Sequence, residues 1–291
     1  MDYLVSGGPM NYYIFHHNDL DGRCAASVVL GYLKNNMGVS DPIIKETDYN
    51  HLNELSSLIK ERESIAYLVD LSFTEETYKY LLDLKEKCES IIWIDHHYSS
   101  QRLITNHPEI VSLIPGVVDI DFCGAYNTFT YLYKNKEVPL YIRLVDDWDC
   151  WKFKLEDTKA FKFGMDSVYH GPESLIWETL ENKENLYSII NKGYTIIEYM
   201  NRFYERYYVN SYERTINGLR ACILNLKTDS MAFLDSENKY DLLVAWVFDG
   251  YKFNYSLYST NPDVNCAEIA ERFGGGGHKG AAGFSSKTQV W

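Results

Sequence analysis

Acidic residues and histidines occur in four short segments of this chain, each at the end of an apolar or helical stretch. The segments read "HNDLDG" at 17–22, "LVDLS" at 68–72, "DHH" at 95–97 and "DDWD" at 146–149. Carboxylates and imidazoles together favour Mn²⁺ or a similar divalent ion. In the first segment, the spacing of His17, Asp19 and Asp21 predicts that they lie on one side of an extended stretch. Taken alone, such a pattern is more often a solvated turn, so the other segments must support it.

Two of the segments follow runs that predict buried strands. Asp70 follows Ile-Ala-Tyr-Leu-Val, and Asp95-His96-His97 follows Ile-Ile-Trp-Ile. Strands that are apolar at every position are typical of a parallel sheet covered on both faces, and such sheets bind ligands at the carboxyl ends of their strands. A buried carboxylate needs a partner, and several converging carboxylates repel one another unless cations neutralise them. These segments therefore predict a two-metal centre at one edge of a sheet.

The elements that must position these residues alternate between strands and helices. This β-α-β pattern predicts an α/β protein whose N-terminal, mostly parallel sheet is flanked by helices. A long amphipathic stretch at 184–213 predicts a helical connector, and two strand-like runs about an Asp-Gly pair within 240–259 predict a hairpin. We predict a metal-binding domain over 1–183, the connector over 184–215, and a smaller C-terminal α/β domain with a mixed sheet over 216–291.

Composition and charge exclude several classes of protein. The net charge of −13 works against tight binding of long or duplex nucleic acid, which needs a basic surface. The six cysteines are scattered without a C-x-x-C pair, which indicates reduced thiols rather than a disulfide frame. The stretch "MDYLVSGGPMNYY" lacks the pattern of a signal peptide, and no apolar run approaches a membrane span. We therefore expect a cytoplasmic protein without a membrane partner, with a homodimer as one possible state.

The four segments, in this order, resemble those of the DHH phosphoesterase superfamily. The ending "GGGGHKGAAGF" at 274–284 resembles the glycine-rich signature of the DHH-associated C-terminal domain, and "HNDLDGRCAA" and "DDWDCW" are similar to the oligoribonuclease (nano-RNase)-like members. This resemblance covers nearly the whole chain. It implies a phosphodiesterase that uses two divalent metal ions, Mn²⁺ with Mg²⁺ or Co²⁺ as alternatives. The implied reaction is hydrolysis of short oligonucleotides or dinucleotides to 5′-mononucleotides.

The resemblance also implies roles for individual residues in the metal centre. His17 and Asp19 would bind one ion, Asp70 would bridge the two ions, and the second ion would be held by Asp21, His96 and one acid of the fourth segment. Among the three acids of that segment we expect Asp147 to be the ligand, with Asp149 as the main alternative. Asp95 would orient an imidazole, and His97 would face the scissile phosphate.

The C-terminal glycines have two interpretations. They could form a flexible tail, or their backbone N–H groups could reach a phosphate at the end of the substrate distal to the cleaved bond, as the resemblance implies. The residues that follow the glycines favour the second interpretation. The substrate-binding residues expected there and elsewhere are Arg23, Gly275, Gly276, Gly277, His278 and Lys279.

Rival functions remain open at this stage. Within the same superfamily, they are a cyclic or linear dinucleotide phosphodiesterase, a phosphatase of 3′-phosphoadenosine 5′-phosphate and a single-strand exonuclease. A non-catalytic nucleotide-binding module is a different class of protein, but intact acids and histidines in all four segments weigh against it. A pyrophosphatase or polyphosphatase is disfavoured because the glycine-rich ending resembles a different branch.

Overall fold

The structure is a computed structural model that describes residues 10–227 and 239–291. Most of the segment considered for a signal peptide, residues 1–9, lies outside the described residues. The chain divides into two compact units, Met1–Tyr194 and Thr195–Trp291. Helix α10, Lys183–Tyr208, contains the boundary between the two units. Among the described residues, no helix combines the length and the apolar character that crossing a bilayer requires.

In the part of the first unit that the structure describes, five strands form one sheet. These are β1 (Asn11–His17), β2 (Ile43–Thr47), β3 (Ser64–Val69), β4 (Ser90–Asp95) and β5 (Gly116–Val118). Their order in the sheet is β2-β1-β3-β4-β5, and every neighbouring pair is parallel. The predicted α/β class with a parallel N-terminal sheet is confirmed.

Helices follow the strands as the alternation predicts. They are α1 (Leu20–Met37), α2 (Leu55–Leu58), α3 (Tyr78–Lys87), α4 (Tyr98–Asn106), α5 (Ile110–Leu113), α6 (Gly124–Leu132), α7 (Leu140–Asp149), α8 (Thr158–Asp166) and α9 (Ile176–Thr179). Between these helices and the sheet lies a buried core that includes Phe15, Leu68 and Trp93. The indole of Trp93 donates a hydrogen bond to Leu71 O at 2.8 Å, which satisfies its polar atom inside this core.

Two helical regions of the first unit are short. Residues 52–58 form a 3₁₀ turn at Leu52–Glu54 followed by the single turn α2, because Ile59 is extended and turns the chain toward β3. Helix α3 begins at Tyr78. Thr74 N donates to Thr77 Oγ1 at 2.8 Å, so Thr74 and Thr77 form a turn before the helix.

Among the described residues, the second unit contains the C-terminal part of α10, a mixed sheet of six strands and a short helix. The elements are β6 (Tyr212–Ile216), β7 (Leu219–Asn225), β8 (Leu242–Phe248), β9 (Phe253–Tyr258), α11 (Cys266–Glu271), β10 (Gly276–Gly277) and β11 (Ala281–Ser286). The order is β10-β11-β9-β8-β7-β6, in which only the β7–β8 pair of the described strands is parallel. The Asp-Gly hairpin is confirmed: Asp249 accepts hydrogen bonds from the N–H groups of Tyr251 and Lys252, and Gly250 has a φ of 98°.

Helices α8 and α10 cross in direct backbone contact through two glycines. A Cβ on Gly193 of α10 would lie 1.6 Å from Ala160 O of α8, and one on Gly164 of α8 would lie 2.1 Å from Ile189 O of α10. Neither helix can therefore carry a side chain at its crossing position without moving away from the other. The contact fixes α8, which follows the fourth acidic segment along the chain.

We predict that Gly193→Ala destabilises the protein by about 1–3 kcal/mol, because the added methyl group forces the two helices apart. Gly31→Ala is the matched control, since a Cβ on this helical glycine would approach only Tyr133 Oη, at 3.7 Å. The control should be neutral or stabilising by up to about 1 kcal/mol, owing to the better helix propensity of alanine. Thermal and urea unfolding of both variants measure the difference. Equal effects of the two substitutions would contradict the close crossing.

Candidate metal centre

The carboxyl ends of β1, β3 and β4 lie side by side in the sheet and bring three of the four segments together. His17 is the last residue of β1, Asp70 follows the last residue of β3, and Asp95 is the last residue of β4. Because β3 pairs with both β1 and β4 in parallel, these ends meet at one edge. The sequence prediction of three neighbouring strand ends is confirmed.

The first segment reaches this edge in two ways. Asp19 is the N-cap of α1 and accepts a hydrogen bond from Gly22 N at 2.9 Å, while its other oxygen lies 2.6 Å from His17 Nδ1. Although burial opposes the shift, His17 lowers the pKa of Asp19 to about 2. Asp21 instead lies in the first turn of α1, so the expectation that all three residues alternate along an extended stretch is wrong for Asp21.

Asp21 is held by the start of another helix. Its two carboxylate oxygens accept hydrogen bonds from Gly124 N at 2.6 Å and Ala125 N at 2.8 Å, at the beginning of α6. An anion at a helix N-terminus is favoured by the free N–H groups and the helix dipole. The α6 N-terminus therefore anchors this buried carboxylate, while each oxygen retains further lone pairs for another ligand.

Asp70 lies at the centre of the cluster in an unfavourable environment. Asp70 has a backbone φ of 55° and is only 1% exposed to solvent. No donor among the described residues hydrogen-bonds to either of its carboxylate oxygens. Burial, followed by repulsion from Asp21, Asp19 and Asp149, raises the pKa of Asp70 well above its usual range. A left-handed backbone and an unsatisfied buried carboxylate both cost free energy, which is typical of a residue retained for function.

Three carboxylates surround His96. Its Nε2 lies 3.2 Å from Asp70, 3.3 Å from Asp149 and 3.8 Å from Asp21. Burial lowers the pKa of His96, although the neighbouring Asp21 opposes the shift. The neutral imidazole that results is the form that binds a metal ion.

The fourth segment requires a correction, because Asp149, and not Asp147, lies in the cluster. Asp147 is turned the other way and accepts hydrogen bonds from Lys154 N at 2.9 Å, Leu155 N at 3.0 Å and Thr158 Oγ1 at 2.5 Å. It therefore holds the loop between α7 and α8. Asp146 is also engaged elsewhere: it pairs with Lys152 Nζ at 2.7 Å and accepts from Cys123 N at 2.9 Å.

A hydrogen-bonded row leads from Asp95 outward through His97. His97 Nδ1 lies 2.8 Å from Asp95 Oδ1, and His97 Nε2 lies 3.0 Å from the hydroxyl of Tyr49. Although burial opposes it, His97 lowers the pKa of Asp95 to about 2, which keeps this carboxylate ionised. An ionised Asp95 accepts from Nδ1 and so fixes the orientation of the His97 ring.

Two residues of this site were missed by sequence analysis. Tyr49 follows the edge strand β2 by two residues, and its ring stacks on that of His17 with centroids 4.8 Å apart. Gly124 has no room for a side chain, since a Cβ would lie 2.8 Å from Asp70 Cβ. The sequence offered two signals for these residues. One is an aromatic residue shortly after β2, and the other is a glycine at the start of α6.

The expected substrate-binding residues are distributed between the two units. Arg23 lies in the first unit beside Asp19 and Asp21 and pairs with Glu46, from its Nε to the carboxylate at 2.7 Å. In the second unit, Gly276 and Gly277 form β10 and pair with β11, so the tail interpretation is wrong. The side chains of His278 and Lys279 are exposed there.

The glycine-rich segment uses several of its N–H groups within the protein. Gly275 N donates to Ala270 O at 3.0 Å, and His278 N donates to Ala281 O at 2.7 Å. These two groups therefore do not point at a phosphate, contrary to the expectation. Gly275 and Gly277 have a packing role instead, since a Cβ at either position would lie under 3.0 Å from β11.

The donor set fits divalent metal ions. Among the described residues, potential ligand atoms gather in three overlapping groups: His17, Asp19 and Asp70; Asp70, His96 and His97; and His96, Asp149 and Cys150. Asp70 is shared by the first two groups, and its oxygens have no hydrogen-bond donor. A cation would neutralise the carboxylates and supply the partner that Asp70 lacks, and mixed imidazole and carboxylate ligands suit ions such as Mn²⁺.

No family model matches the chain. Two relatives align over most of it. An uncharacterized protein of Acanthamoeba polyphaga mimivirus is 25% identical over 292 residues, which are 94% of this chain and 66% of that protein. The oligoribonuclease NrnB of Bacillus subtilis is 22% identical over 314 residues, which are 96% of this chain and 74% of that protein. The chain thus spans between about two thirds and three quarters of the length of these relatives.

Solved structures share the fold over nearly the full length. The DHH domain of a protein assigned to a ribosomal-protein family has a TM-score of 0.55 at 12% identity and covers 94% of this chain and 82% of its own. A pGpG-specific phosphodiesterase of Vibrio cholerae has a TM-score of 0.50 at 11% identity. The match covers 96% of this chain and 94% of that chain. The chain therefore shares its fold with this DHH domain and this phosphodiesterase. Asp95 ends β4, and His96 and His97 follow it at the acidic edge of the sheet.

We predict that Asp70→Asn stabilises the metal-free protein, whereas Asp147→Asn destabilises it. The folded state raises the pKa of Asp70, so it binds more protons than the unfolded chain and loses stability as pH rises above about 4. Asp70→Asn should remove this loss and raise the unfolding free energy at pH 7 by about 1–3 kcal/mol, with the gain shrinking at acid pH.

Asp147→Asn is the matched control, since the same chemical change weakens three hydrogen bonds and should cost about 1–3 kcal/mol. Urea unfolding between pH 4 and pH 8 in the presence of a chelator measures both variants. Destabilisation by Asp70→Asn at pH 7 would contradict the assignment of Asp70 as an unsatisfied carboxylate.

Proposed function

We propose that this protein is a metal-dependent phosphodiesterase that hydrolyses short oligonucleotides to 5′-mononucleotides with Mn²⁺ as its preferred ion. The observation that carries the proposal is Asp70, a buried carboxylate without a hydrogen-bond donor that lies between His17 and His96. A protein does not maintain this arrangement for stability, because each neighbouring carboxylate makes it less favourable. The arrangement is explained if cations occupy the site.

The residues that would hold two ions divide about Asp70. His17 and Asp19 would bind the first ion, His96, Asp149 and Asp21 the second, and Asp70 both. When bound, such ions supply Lewis acidity toward a phosphoryl oxygen and lower the pKa of a water molecule. The change from Asp147 to Asp149 in this assignment follows from the hydrogen bonds that turn Asp147 away.

The protein side chains around the ions have distinct tasks. Asp95 fixes the ring of His97 through Nδ1, and Tyr49 contacts the outer nitrogen of the same ring. Since Asp95 raises the pKa of His97 against the effect of burial, a cationic imidazole is favoured beside the site. We propose that His97 contacts the scissile phosphate and offsets its developing negative charge.

The charge of the protein favours short substrates. The chain carries a net charge of −13, which remains strongly negative after two divalent ions are bound. Such a surface repels a long polyanion, so association lacks the electrostatic attraction that basic nucleases use. The B. subtilis relative is an oligoribonuclease and the V. cholerae structure is a dinucleotide-specific phosphodiesterase, which supports a proposal of short nucleotides for this chain as well.

The C-terminal unit offers cationic groups for the far end of the substrate. His278 and Lys279 are exposed beside β10, and we propose that their side chains contact a distal phosphate. Of the glycines before them, Gly276 has open space around its Cα, so its backbone can be approached by a ligand. Side chains, rather than the engaged N–H groups of Gly275 and His278, would provide this contact.

We predict that Mn²⁺ supports hydrolysis of the dinucleotide pApA, that a chelator abolishes it, and that calorimetry detects two bound ions per chain. Asp149→Asn should lower kcat/KM by about 100-fold or more at fixed Mn²⁺, since loss of a ligand exceeds the cost of losing a residue that supports one. Asp147→Asn, assayed where it is folded, should retain most of the activity. Full activity in metal-free buffer, or a larger loss in Asp147→Asn, would contradict the proposed centre.

We predict a higher kcat/KM on a dinucleotide than on a 24-mer of the same sequence type, because the negative surface disfavours long strands. Measuring kcat/KM for both substrates over a range of salt concentrations separates the effect of strand length from that of charge. The difference in kcat/KM should shrink as salt screens the repulsion. Linear pApA, cyclic di-AMP, 3′-phosphoadenosine 5′-phosphate and pyrophosphate assayed in parallel distinguish the rival activities. Equal or better efficiency on the 24-mer at low salt would overturn the short-substrate proposal and leave the metal chemistry intact.

A further inference from the structure

Two neighbouring cavities of the first unit share the same pair of residues. The metal-site cavity, about 430 Å³, is lined by Asp19, Asp21 and Asp149 of the cluster and also by Arg23 and His170. A second cavity of about 630 Å³, here called the outer cavity, is lined by Arg23 and His170 as well. Its volume lies in the range of sites that bind small organic ligands. Arg23 and His170 therefore lie between the metal-site cavity and the outer cavity and border both.

Contacts on three sides hold Arg23 at this junction. Its Nε and Nη2 donate to the two carboxylate oxygens of Glu46 at 2.7 and 3.2 Å, and its Nη1 lies 3.2 Å from His170 Nε2. His170 Nδ1 lies 2.9 Å from Val168 O and can only donate to that carbonyl, so Nε2 is the acceptor of the arginine. A guanidinium fixed in this way has low conformational entropy left to lose when a phosphate binds.

The outer cavity itself is unsuited to a phosphate. Its carboxylates, Glu46 and Glu173, outnumber its one arginine. The remaining lining includes apolar surface from Pro42, Ile44 and Pro172. Carboxylates accept hydrogen bonds from hydroxyl and amino groups, and apolar surfaces pack against the faces of planar rings. An uncharged ligand with a ring and several donors satisfies both requirements.

We infer that the outer cavity binds a nucleoside of the substrate, with Arg23 contacting the phosphate that joins this nucleoside to the metal site and His170 positioning Arg23. The inference rests on the proposed function and adds to it the place of one nucleoside unit. It gives a role to an arginine that borders the metal-site cavity but pairs with Glu46 rather than with the aspartates of that cavity. It also assigns a role to the loop at 168–173, which contains no residue of the four segments.

Filling the outer cavity from one wall provides the test. Ile44→Trp projects a large side chain into the cavity, whereas Ile43→Trp is the matched control because Ile43 is 43% exposed and does not line the cavity. Val168→Trp fills the cavity from the opposite wall and replaces Ile44→Trp should the latter not fold, as judged by circular dichroism and thermal unfolding. None of these residues belongs to the metal centre.

Adenosine is the first probe because it lacks a phosphate. Calorimetry should show adenosine binding to the wild type and Ile43→Trp with similar Kd, and at least about tenfold more weakly to Ile44→Trp, as expected when a well-filled apolar contact is lost. Unchanged adenosine binding in both cavity-filling variants, or no adenosine binding to the wild type, would overturn the inference.

Hydrolysis separates this inference from the proposed function. With Mn²⁺, Ile44→Trp should raise KM for pApA about tenfold with little change in kcat, because the contact is one of binding. It should leave hydrolysis of bis(p-nitrophenyl) phosphate, a phosphodiester without a nucleoside, at the wild-type rate. Equal effects of Ile44→Trp on the hydrolysis of the two substrates would overturn the nucleoside assignment but would not contradict the proposed phosphodiesterase activity. No hydrolysis of either substrate by the wild type would overturn the proposed function, and adenosine calorimetry would still decide the cavity.

Discussion

Repulsion among clustered carboxylates, two of them buried, at the carboxyl edge of the parallel sheet is the constraint on which the first unit depends. Asp19, Asp21, Asp70 and Asp149 approach one another within a region where water cannot screen them fully. Three elements bring them there: α1 positions Asp19 and Asp21, β3 positions Asp70, and α7 positions Asp149, so the fold must keep these elements in place against this repulsion. The buried core beneath the sheet and the helix end that holds Asp21 supply the opposing free energy.

The carboxylates are distinguished by their partners rather than by their chemistry. Asp19 has an imidazole and a backbone N–H, Asp21 has two N–H groups, and Asp95 has an imidazole. Asp70 has imidazoles nearby but no hydrogen-bond donor among the described residues, and its position at the centre allows it to serve two groups of ligands. The unfavourable electrostatic free energy of the site is therefore concentrated in Asp70. This residue destabilises the fold when the site is empty and stabilises it when cations are bound.

Sequence patterns predicted the parts of this arrangement that depend on hydrophobic periodicity. Apolar runs before Asp70 and Asp95 indicated buried parallel strands, and from these the meeting of three strand ends followed. The choice between Asp147 and Asp149 depended on a different kind of information. It is decided by the loop after α7, which folds back so that Lys154 N and Leu155 N reach Asp147, and no local pattern encodes that path. Tyr49 was missed for a related reason, since its role arises from the place of β2 at the edge of the sheet.

The glycine contact between α8 and α10 restricts how this sequence can change over time. At many close contacts in proteins, a larger side chain on one element is accommodated by a smaller one opposite. Here Gly164 and Gly193 each face a carbonyl group of the other helix, and a carbonyl cannot be made smaller by any substitution. A substitution at either position can therefore be accommodated only if a whole helix shifts. Both glycines should persist in descendants of this protein even where the residues around them have been replaced.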